Sequence, residues 1–126
     1  MKNAMDLVQA AKAQLTEVPA SAAAEAIRDS DVLIDVREES EFAAGHIPGA
    51  IHASRGMLEF KLSATPALQP RDLKVLVYCK TSGRAALAAQ AMHAMGYLNV
   101  RSIAGGFDAW VAAGGAVVRP EQPRFD

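Results

Sequence analysis

The chain has 126 residues, of which 51% are hydrophobic, and its formal net charge is −1. This length and apolar content suit one domain with its own core and exclude a disordered chain. A charge this close to zero gives no basic footprint, so neither nucleic acid nor a membrane is expected as a partner. The single cysteine excludes an internal disulfide and a CxxC site, so no metal is expected.

The N-terminal segment, residues 1–15, is amphipathic and carries Lys2, Asp6 and Lys12. It lacks the continuous apolar core of a signal peptide, and no run in the sequence is long enough to cross a bilayer. We therefore expect a cytoplasmic protein, because a reducing compartment preserves a free thiol.

The first half of the sequence predicts short strands and helices in alternation. Leu7, Ala11 and Leu15 repeat at helical spacing. Ser21 is a candidate cap for a second helix, and the apolar run 32–36 is typical of a buried strand. In chain order, we predict a helix over residues 4–14, an edge strand over 16–18, a helix over 21–28, a strand over 32–36, a short helix over 38–44 and a strand over 50–53.

The second half continues this alternation around a central strand at residues 74–78. An alanine-rich helix is predicted over 84–95, with Leu87, Ala91 and Met95 on one face and Gly96 just past its end. The other predicted elements are a helix over 57–62, a loop over 63–71, a strand over 100–103, a turn at Gly105-Gly106, a helix over 107–112 and an extended tail from Gly114.

Strands that alternate with helices predict an α/β fold with a parallel sheet and right-handed crossovers. In such sheets, ligands bind beyond the carboxyl ends of the strands. Cys79 follows one predicted strand, while Asp35 and Arg37 end another that points the same way. We expect these three residues to share one rim of the sheet.

Cys79 is the leading candidate for a catalytic residue. A free cysteine is often an inert, buried side chain, which is the alternative interpretation. Here Lys80 and Arg84 surround the thiol with positive charge, and the helix predicted behind it adds the field of its N-terminus. Both effects stabilise a thiolate, so the pattern favours a nucleophile.

The residues that follow the cysteine predict an anion-binding loop. Thr81, Ser82 and Gly83 are small, so their backbone N–H groups can turn toward one anion. Ser82 can also be the cap of the next helix, a role compatible with the first. Because positive charge is unfavourable at a helix N-terminus, we expect Arg84 to meet an anion in the loop.

Other side chains are candidates for supporting roles. Asp35 lies inside an apolar run and needs a buried partner, for which Arg37 is the candidate. His46 is a candidate base for the thiol, although we favour a structural histidine that fastens the following turn. Phe107 and Trp110, three positions apart, are predicted to belong to the core.

Four ordered motifs resemble the single-domain rhodanese (thiosulfate sulfurtransferase) family. They are Leu33-Ile34-Asp35-Val36-Arg37-Glu38, then Glu41-Phe42-Ala43-Ala44-Gly45-His46-Ile47-Pro48-Gly49-Ala50, then Val77-Tyr78-Cys79 through Arg84, and Ile103-Ala104-Gly105-Gly106-Phe107-Asp108-Ala109-Trp110. On this basis we predict a rhodanese-like domain over residues 19–118. A helical extension over 1–18 and a tail over 119–126 would flank it.

The resemblance implies a three-layer fold with a central parallel sheet and helices on both faces. It also implies that Cys79 takes a sulfane sulfur from a donor such as thiosulfate. The resulting persulfide would be held by backbone N–H groups of residues 80–84, without a metal or organic cofactor. The acceptor would be cyanide or a thiol, either a small molecule or carried by another protein.

Two alternatives remain beside this interpretation. Related phosphatases and arsenate reductases use a loop one residue longer, Cys-x5-Arg, and the Cys-x4-Arg spacing here favours sulfur. Non-catalytic rhodanese-like binding modules usually lack the cysteine, which is present as Cys79. Many family loops carry glycine at the fourth position, where this chain has Ser82, so a different donor preference is expected.

Overall fold

Short apolar runs form the strands of this chain, and alanine-rich or amphipathic segments form its helices. The computed structural model describes residues 1–120, within which five strands, six α-helices and one 3-10 turn follow one another. The helices are α1 (Ala4–Lys12), α2 (Ala20–Asp29), α3 (Glu39–Ala44), α4 (Leu58–Ala64), α5 (Gly83–Ala94) and α6 (Gly106–Ala112). The strands are β1 (Thr16–Val18), β2 (Val32–Asp35), β3 (Ile51–His52), β4 (Lys74–Tyr78) and β5 (Asn99–Ile103).

The five strands form one sheet in the order β1-β5-β4-β2-β3, and each neighbouring pair is parallel. Parallel neighbours need crossover connections, which the intervening helices supply. Strand β4 is central, as the sequence predicts, with β2 on one side and β5 on the other. The carboxyl ends of β2 and β4 therefore lie next to each other.

Helices cover both faces of the sheet, so the predicted three-layer α/β fold is confirmed. On one face, Ile34 and Val77 pack in a cluster that includes residues of α4 and α5. On the other face, Leu76 and Tyr78 pack with residues of α2 and α6, including Trp110. The side chains of β4 alternate between these two clusters, as the pleat of a strand requires.

Helix α5 is buried on two sides because it lies between the sheet and α1. Its buried residues are Ala85, Ala86, Ala88, Ala89 and Met92. The face with Leu87, Ala91 and Met95 that the sequence predicts is only partly buried. Small alanine side chains let α1 approach α5 closely, and Val8 and Ala11 of α1 pack with Ala86.

Several predicted boundaries differ from the structure by a few residues. The cap of α2 is Pro19, and Ser21 lies inside the helix rather than capping it. Helix α4 starts at Leu58 and extends to Ala64, and a 3-10 turn over Pro66–Leu68 interrupts the predicted loop. Proline at the start of a helical turn is favourable because its missing N–H has no partner there.

The N-terminal extension and the last residues of the predicted domain join the same fold within the described residues. Strand β1 pairs with β5 at the edge of the sheet, and α1 packs on α5. Val118 forms an antiparallel bridge with His46, which holds the extended tail. Residues 121–126 of the predicted tail lie outside the described residues. Within residues 1–120, the helices are too short or too polar to span a bilayer.

Candidate active site

The predicted rim forms at the adjacent ends of β2 and β4. Asp35 is the register partner of Tyr78, and the Val36 N–H donates to the Tyr78 carbonyl over 3.0 Å. Cys79 follows Tyr78 directly, and Arg37 follows Val36. The structure thus brings Cys79, Asp35 and Arg37 to one rim of the sheet, as the sequence predicts.

Cys79 combines burial with a position at the start of a helix. Its side chain is 1% exposed and belongs to the cluster beneath α5. The Ala85 N–H donates to Cys79 Sγ over 3.4 Å. Ala85 is in the first turn of α5, where N–H groups lack partners within the helix and the helix end is positive. The positive end of α5 is therefore directed at the Cys79 sulfur.

The N-terminus of α6 holds the loop after Cys79 through backbone hydrogen bonds. The Phe107 N–H donates to the Cys79 carbonyl over 2.8 Å, and the Asp108 N–H donates to the Lys80 carbonyl over 3.0 Å. These peptide bonds are trans, so each N–H points opposite to the carbonyl of its own peptide group. The N–H groups of Lys80 and Thr81 consequently point away from α6.

Gly106 makes this close approach of α6 to the loop possible. Its φ is +57°, a left-handed conformation that suits glycine. A Cβ at this position would overlap the carbonyl oxygens of Thr81 and Cys79. The sequence predicts only a turn at Gly105-Gly106, whereas in the structure this pair lets the N-terminus of α6 pack directly on the loop.

Arg84 pairs with a carboxylate from another element rather than with the loop. Its Nη1 and Nη2 donate to Glu41 Oε1 and Oε2 of α3, over 2.7 and 3.1 Å. The hydrogen bond to Glu41 raises the pKa of Arg84, and negative charge on Cys79 also raises it. The same bond lowers the pKa of Glu41 to about 2, so this pair is ionised. The prediction that Arg84 meets an anion in the loop is therefore replaced by an ion pair with Glu41. Glu41 is not among the site residues that the sequence predicts.

The exposed side of the loop carries a second ion pair. Lys80 Nζ donates to Asp108 Oδ2 over 2.8 Å, and both side chains are at least half exposed. Thr81 is also exposed. The open side of the loop therefore faces solvent, as expected for a site that receives a small ligand.

Ser82 occupies the cap position of α5 without capping it through its side chain. Its φ of −150° lies outside the left-handed region, so serine is accommodated where many related loops have glycine. Ser82 Oγ instead accepts a hydrogen bond from Lys12 Nζ over 2.7 Å. Gly83, the first residue of α5, lies close to Val8 of α1. The predicted cap interpretation of the Ser82 side chain is thus replaced by a contact with α1.

Asp35 has the buried partner that the sequence predicts. Arg37 Nε and Nη2 donate to the Asp35 carboxylate over 2.8–3.1 Å, and both side chains are at most 5% exposed. Arg37 Nη2 also donates to the Gly45 carbonyl over 2.7 Å, and its guanidinium lies 4.2 Å from the centre of the Phe107 ring. This pair therefore joins β2, the end of α3 and α6.

His46 is engaged on the side of α3 and the tail. Its Nδ1 lies 3.1 Å from the Phe42 carbonyl, and its ring stacks on Phe42 at 3.8 Å between centroids. Its backbone exchanges hydrogen bonds of 2.8 and 2.9 Å with Val118. These contacts favour the structural interpretation of His46 over a role as base for the thiol.

A groove of about 460 Å³ lies beside the loop, between α3 and α6. It is lined by Arg37, Glu41, Ala44, Gly45, Lys80, Phe107, Asp108, Val111 and Val117. A slightly larger depression, about 500 Å³, lies at the amino ends of β4 and β5, around Lys74 and Asn99. We favour the first as the functional groove because parallel sheets bind ligands at the carboxyl ends of their strands. Within residues 1–120, His, Cys, Asp and Glu form no group of three suited to a metal ion.

Comparison with known proteins places this chain in a family. The family model for the Rhodanese-like domain matches residues 19–113. A sulfurtransferase of Allochromatium vinosum is 28% identical over 109 residues, which span 85% of this chain and 98% of that protein. The segment that the family model matches, residues 19–113, includes both the loop after Cys79 and the start of α6.

Two solved structures extend the comparison. A protein of unknown function from Rhodopseudomonas palustris, described as a possible tyrosine phosphatase, is 33% identical with a TM-score of 0.86, covering 94% of this chain and 96% of that one. Thiosulfate sulfurtransferase from Pseudomonas aeruginosa is 22% identical with a TM-score of 0.75, covering 95% of this chain and 23% of that one. At this lower identity the likeness concerns the fold alone.

Proposed function

From the membership of this chain in the rhodanese-like domain family, we propose that it is a sulfurtransferase that uses Cys79 as its nucleophile and thiosulfate as a donor. The similarity to a sulfurtransferase over almost the whole length of that protein supports sulfur transfer. The choice of thiosulfate rests on the site, where the Ala85 N–H contacts the Cys79 sulfur and the cations Lys80 and Arg84 belong to the same loop.

In the first half-reaction, the Cys79 thiolate attacks the outer, sulfane sulfur of thiosulfate. A new S–S bond forms to Sγ, the S–S bond of thiosulfate breaks, and sulfite leaves with the electron pair. Cys79 is then a persulfide whose terminal sulfur is anionic. The N–H groups of residues 80–84 and the N-terminus of α5 are suited to hold that charge.

In the second half-reaction, a thiophilic acceptor attacks the terminal sulfur. Cyanide yields thiocyanate and a thiolate yields a new persulfide, and in each case Cys79 is released as a thiolate. Because the chain has one cysteine, the acceptor thiol belongs to another molecule. The groove beside Lys80, with apolar Phe107 and Val111 along its length, is a suitable approach for such an acceptor, small or protein-bound.

One observation carries this proposal: Cys79 Sγ lies in hydrogen-bond contact with the Ala85 N–H at the start of α5, in a loop held by α6. An inert core cysteine needs no such partner, whereas a sulfur anion does. The six-residue span from Cys79 to Arg84 further favours a single sulfur atom over a phosphate group, which the longer Cys-x5-Arg loops accommodate.

The proposal is tested by thiocyanate formation from thiosulfate and cyanide, and by the intact mass of the protein after thiosulfate alone. We expect turnover and a mass gain of one sulfur atom in the native protein, and neither in Cys79→Ser. Because Cys79 is buried, circular dichroism and a melting curve must establish that the variant is folded. Thiocyanate formation by folded Cys79→Ser at the native rate would refute the proposal.

The likeness to the possible tyrosine phosphatase defines the second candidate function. Hydrolysis of p-nitrophenyl phosphate that requires Cys79, with no mass gain from thiosulfate, would support a phosphatase in place of a sulfurtransferase. Absence of both activities in the folded protein would instead indicate a binding module.

A further inference from the structure

Helix α1 lies outside the segment that matches the family model, yet it contacts the active-site loop. Lys12, the last residue of α1, donates from Nζ to Ser82 Oγ over 2.7 Å. Val8, one helical turn earlier, is 5% exposed and lies within van der Waals distance of where a Gly83 side chain would begin. Two successive turns of α1 therefore touch two successive residues of the loop.

The Lys12 contact uses the one loop residue that departs from the usual pattern. Ser82 stands where many related loops have glycine, and a glycine could not accept this hydrogen bond. The hydroxyl is available because the Ser82 side chain makes no capping bond to α5. Lys12 is also well placed to supply it, since a cation is favourable at the C-terminal end of a helix.

We propose that Lys12 is a positioning residue of the active site, which acts through Ser82 to hold the loop around the Cys79 sulfur. The ammonium group fixes the Ser82 side chain and with it the peptide groups on either side. It also adds a third positive charge to those of Lys80 and Arg84. Those two cations already have carboxylate partners within 2.8 Å, whereas the carboxylate of Glu17 lies 3.9 Å from Lys12 Nζ.

This inference rests on the proposed function of the loop, but its test does not require sulfur transfer. Cys79 is the only cysteine, so the intact mass after iodoacetamide treatment measures the reactivity of its thiolate alone. The alkylation rate is followed between pH 6 and about pH 9, a range chosen to span ordinary thiol titration. A failure of the sulfurtransferase proposal leaves this measurement intact.

The variants isolate the Lys12–Ser82 contact. Lys12→Met keeps most of the aliphatic stem and removes the ammonium, whereas Lys12→Arg keeps a cation. Ser82→Gly gives the more usual loop, and the double variant combines it with Lys12→Met. Glu17→Gln is the matched control, because it removes the other ionic contact of Lys12 and leaves the loop contact in place.

We expect Lys12→Met to slow alkylation at neutral pH about three- to tenfold, the range for the loss of one typical hydrogen bond, because this contact is partly exposed. The pH profile should move to higher pH, and Lys12→Arg should restore most of the rate. In the Ser82→Gly background, Lys12→Met should have little further effect, because the contact is already absent. The melting temperature of each variant establishes that a folded protein is compared.

Three outcomes would overturn the proposal. They are an unchanged rate in Lys12→Met, an equal loss from Lys12→Met in the Ser82→Gly background, and a loss of the same size in Glu17→Gln. The first would mean that the ammonium does not act on the thiol. The second and third would mean that Lys12 affects the reactivity of the Cys79 thiol through contacts other than that with Ser82.

Discussion

At the scale of single residues, the site is defined by how each charge is paired. Arg84 and Glu41 form a two-point ion pair between α5 and α3, and Asp35 and Arg37 form a buried pair at the end of β2. A charge in a partly buried position is stabilised by such a partner and costs free energy without one. These pairs therefore fix the two arginines at the rim that carries Cys79.

The Glu41–Arg84 pair predicts a specific loss of stability in acid. Its hydrogen bonds lower the pKa of Glu41 from its ordinary value of 4.5 to about 2 in the folded protein. The stabilisation is therefore present above about pH 4.5 and is lost as the pH falls toward 2. We expect Glu41→Gln to be less stable than the native protein at neutral pH and to lose less stability over this acid range, measured by urea unfolding.

The matched control for this prediction is Glu39→Gln, which removes an exposed carboxylate from the same helix. It should follow the native acid dependence. An acid profile of Glu41→Gln that is indistinguishable from the native profile would show that the ion pair does not contribute to stability.

At the scale of elements, the decisive contact is that between α6 and the loop. The first N–H groups of a helix have no partners within it, and here those of Phe107 and Asp108 are satisfied by loop carbonyls. One helix end therefore orients the loop, while another, that of α5, contacts the sulfur. The loop motif that contains Gly83 and the motif that contains Gly105-Gly106 therefore lie against each other.

Gly106→Ala should separate α6 from the loop. The added Cβ would overlap loop carbonyl oxygens, and alanine is also strained at φ +57°. We expect thiosulfate-dependent sulfur loading, measured by intact mass, to slow tenfold or more, about the effect of 1.4 kcal/mol on a barrier. Stability should also fall, by about 1–2 kcal/mol for the left-handed backbone alone.

Gly114→Ala is the control for backbone strain. Gly114 has a φ of +85° just beyond the other end of α6, and a Cβ there would meet no atom within 4 Å. It should lower stability and leave sulfur loading by the folded protein near the native rate. Equal loading by the two variants would rule out the proposed clash as the cause.

The sequence predicts local features of the site better than its long-range contacts. Apolar runs and small-residue turns locate the strands, the cysteine and the loop that follows it, because these depend on neighbouring residues. The Lys12–Ser82 and Glu41–Arg84 contacts join residues 70 and 43 positions apart. Neither helical spacing nor strand alternation encodes such pairs, since they arise from how whole elements pack.

At the scale of the whole molecule, Trp110 connects α6 with the rest of the core. Its side chain is 9% exposed and packs in the cluster that contains Val18, Ala23 and Leu33. Its indole N–H donates to the Ala116 carbonyl over 2.8 Å, which ties the tail to the same helix. The prediction that Trp110 belongs to the core is therefore confirmed, and we expect its removal to lower the stability of the whole molecule.

Trp110→Ala should lower the free energy of unfolding by about 3–5 kcal/mol, the usual range for a buried aromatic residue. Urea unfolding of the variant measures this difference. Val111→Ala changes the next residue, which is 47% exposed, and should cost far less. Similar small losses in both variants would indicate that the indole does not contribute to the core.

The hydrogen bonds between α6 and the loop after Cys79 also affect the conformational entropy of the loop backbone. Fixing the backbone of one residue costs about 1–2 kcal/mol in conformational entropy at room temperature. For Cys79 and Lys80, whose carbonyls accept hydrogen bonds from α6, this order is imposed when the chain folds. On the proposed function, a sulfur donor would then bind a loop that is already ordered in this part, so its affinity would not be reduced by the cost of ordering these residues.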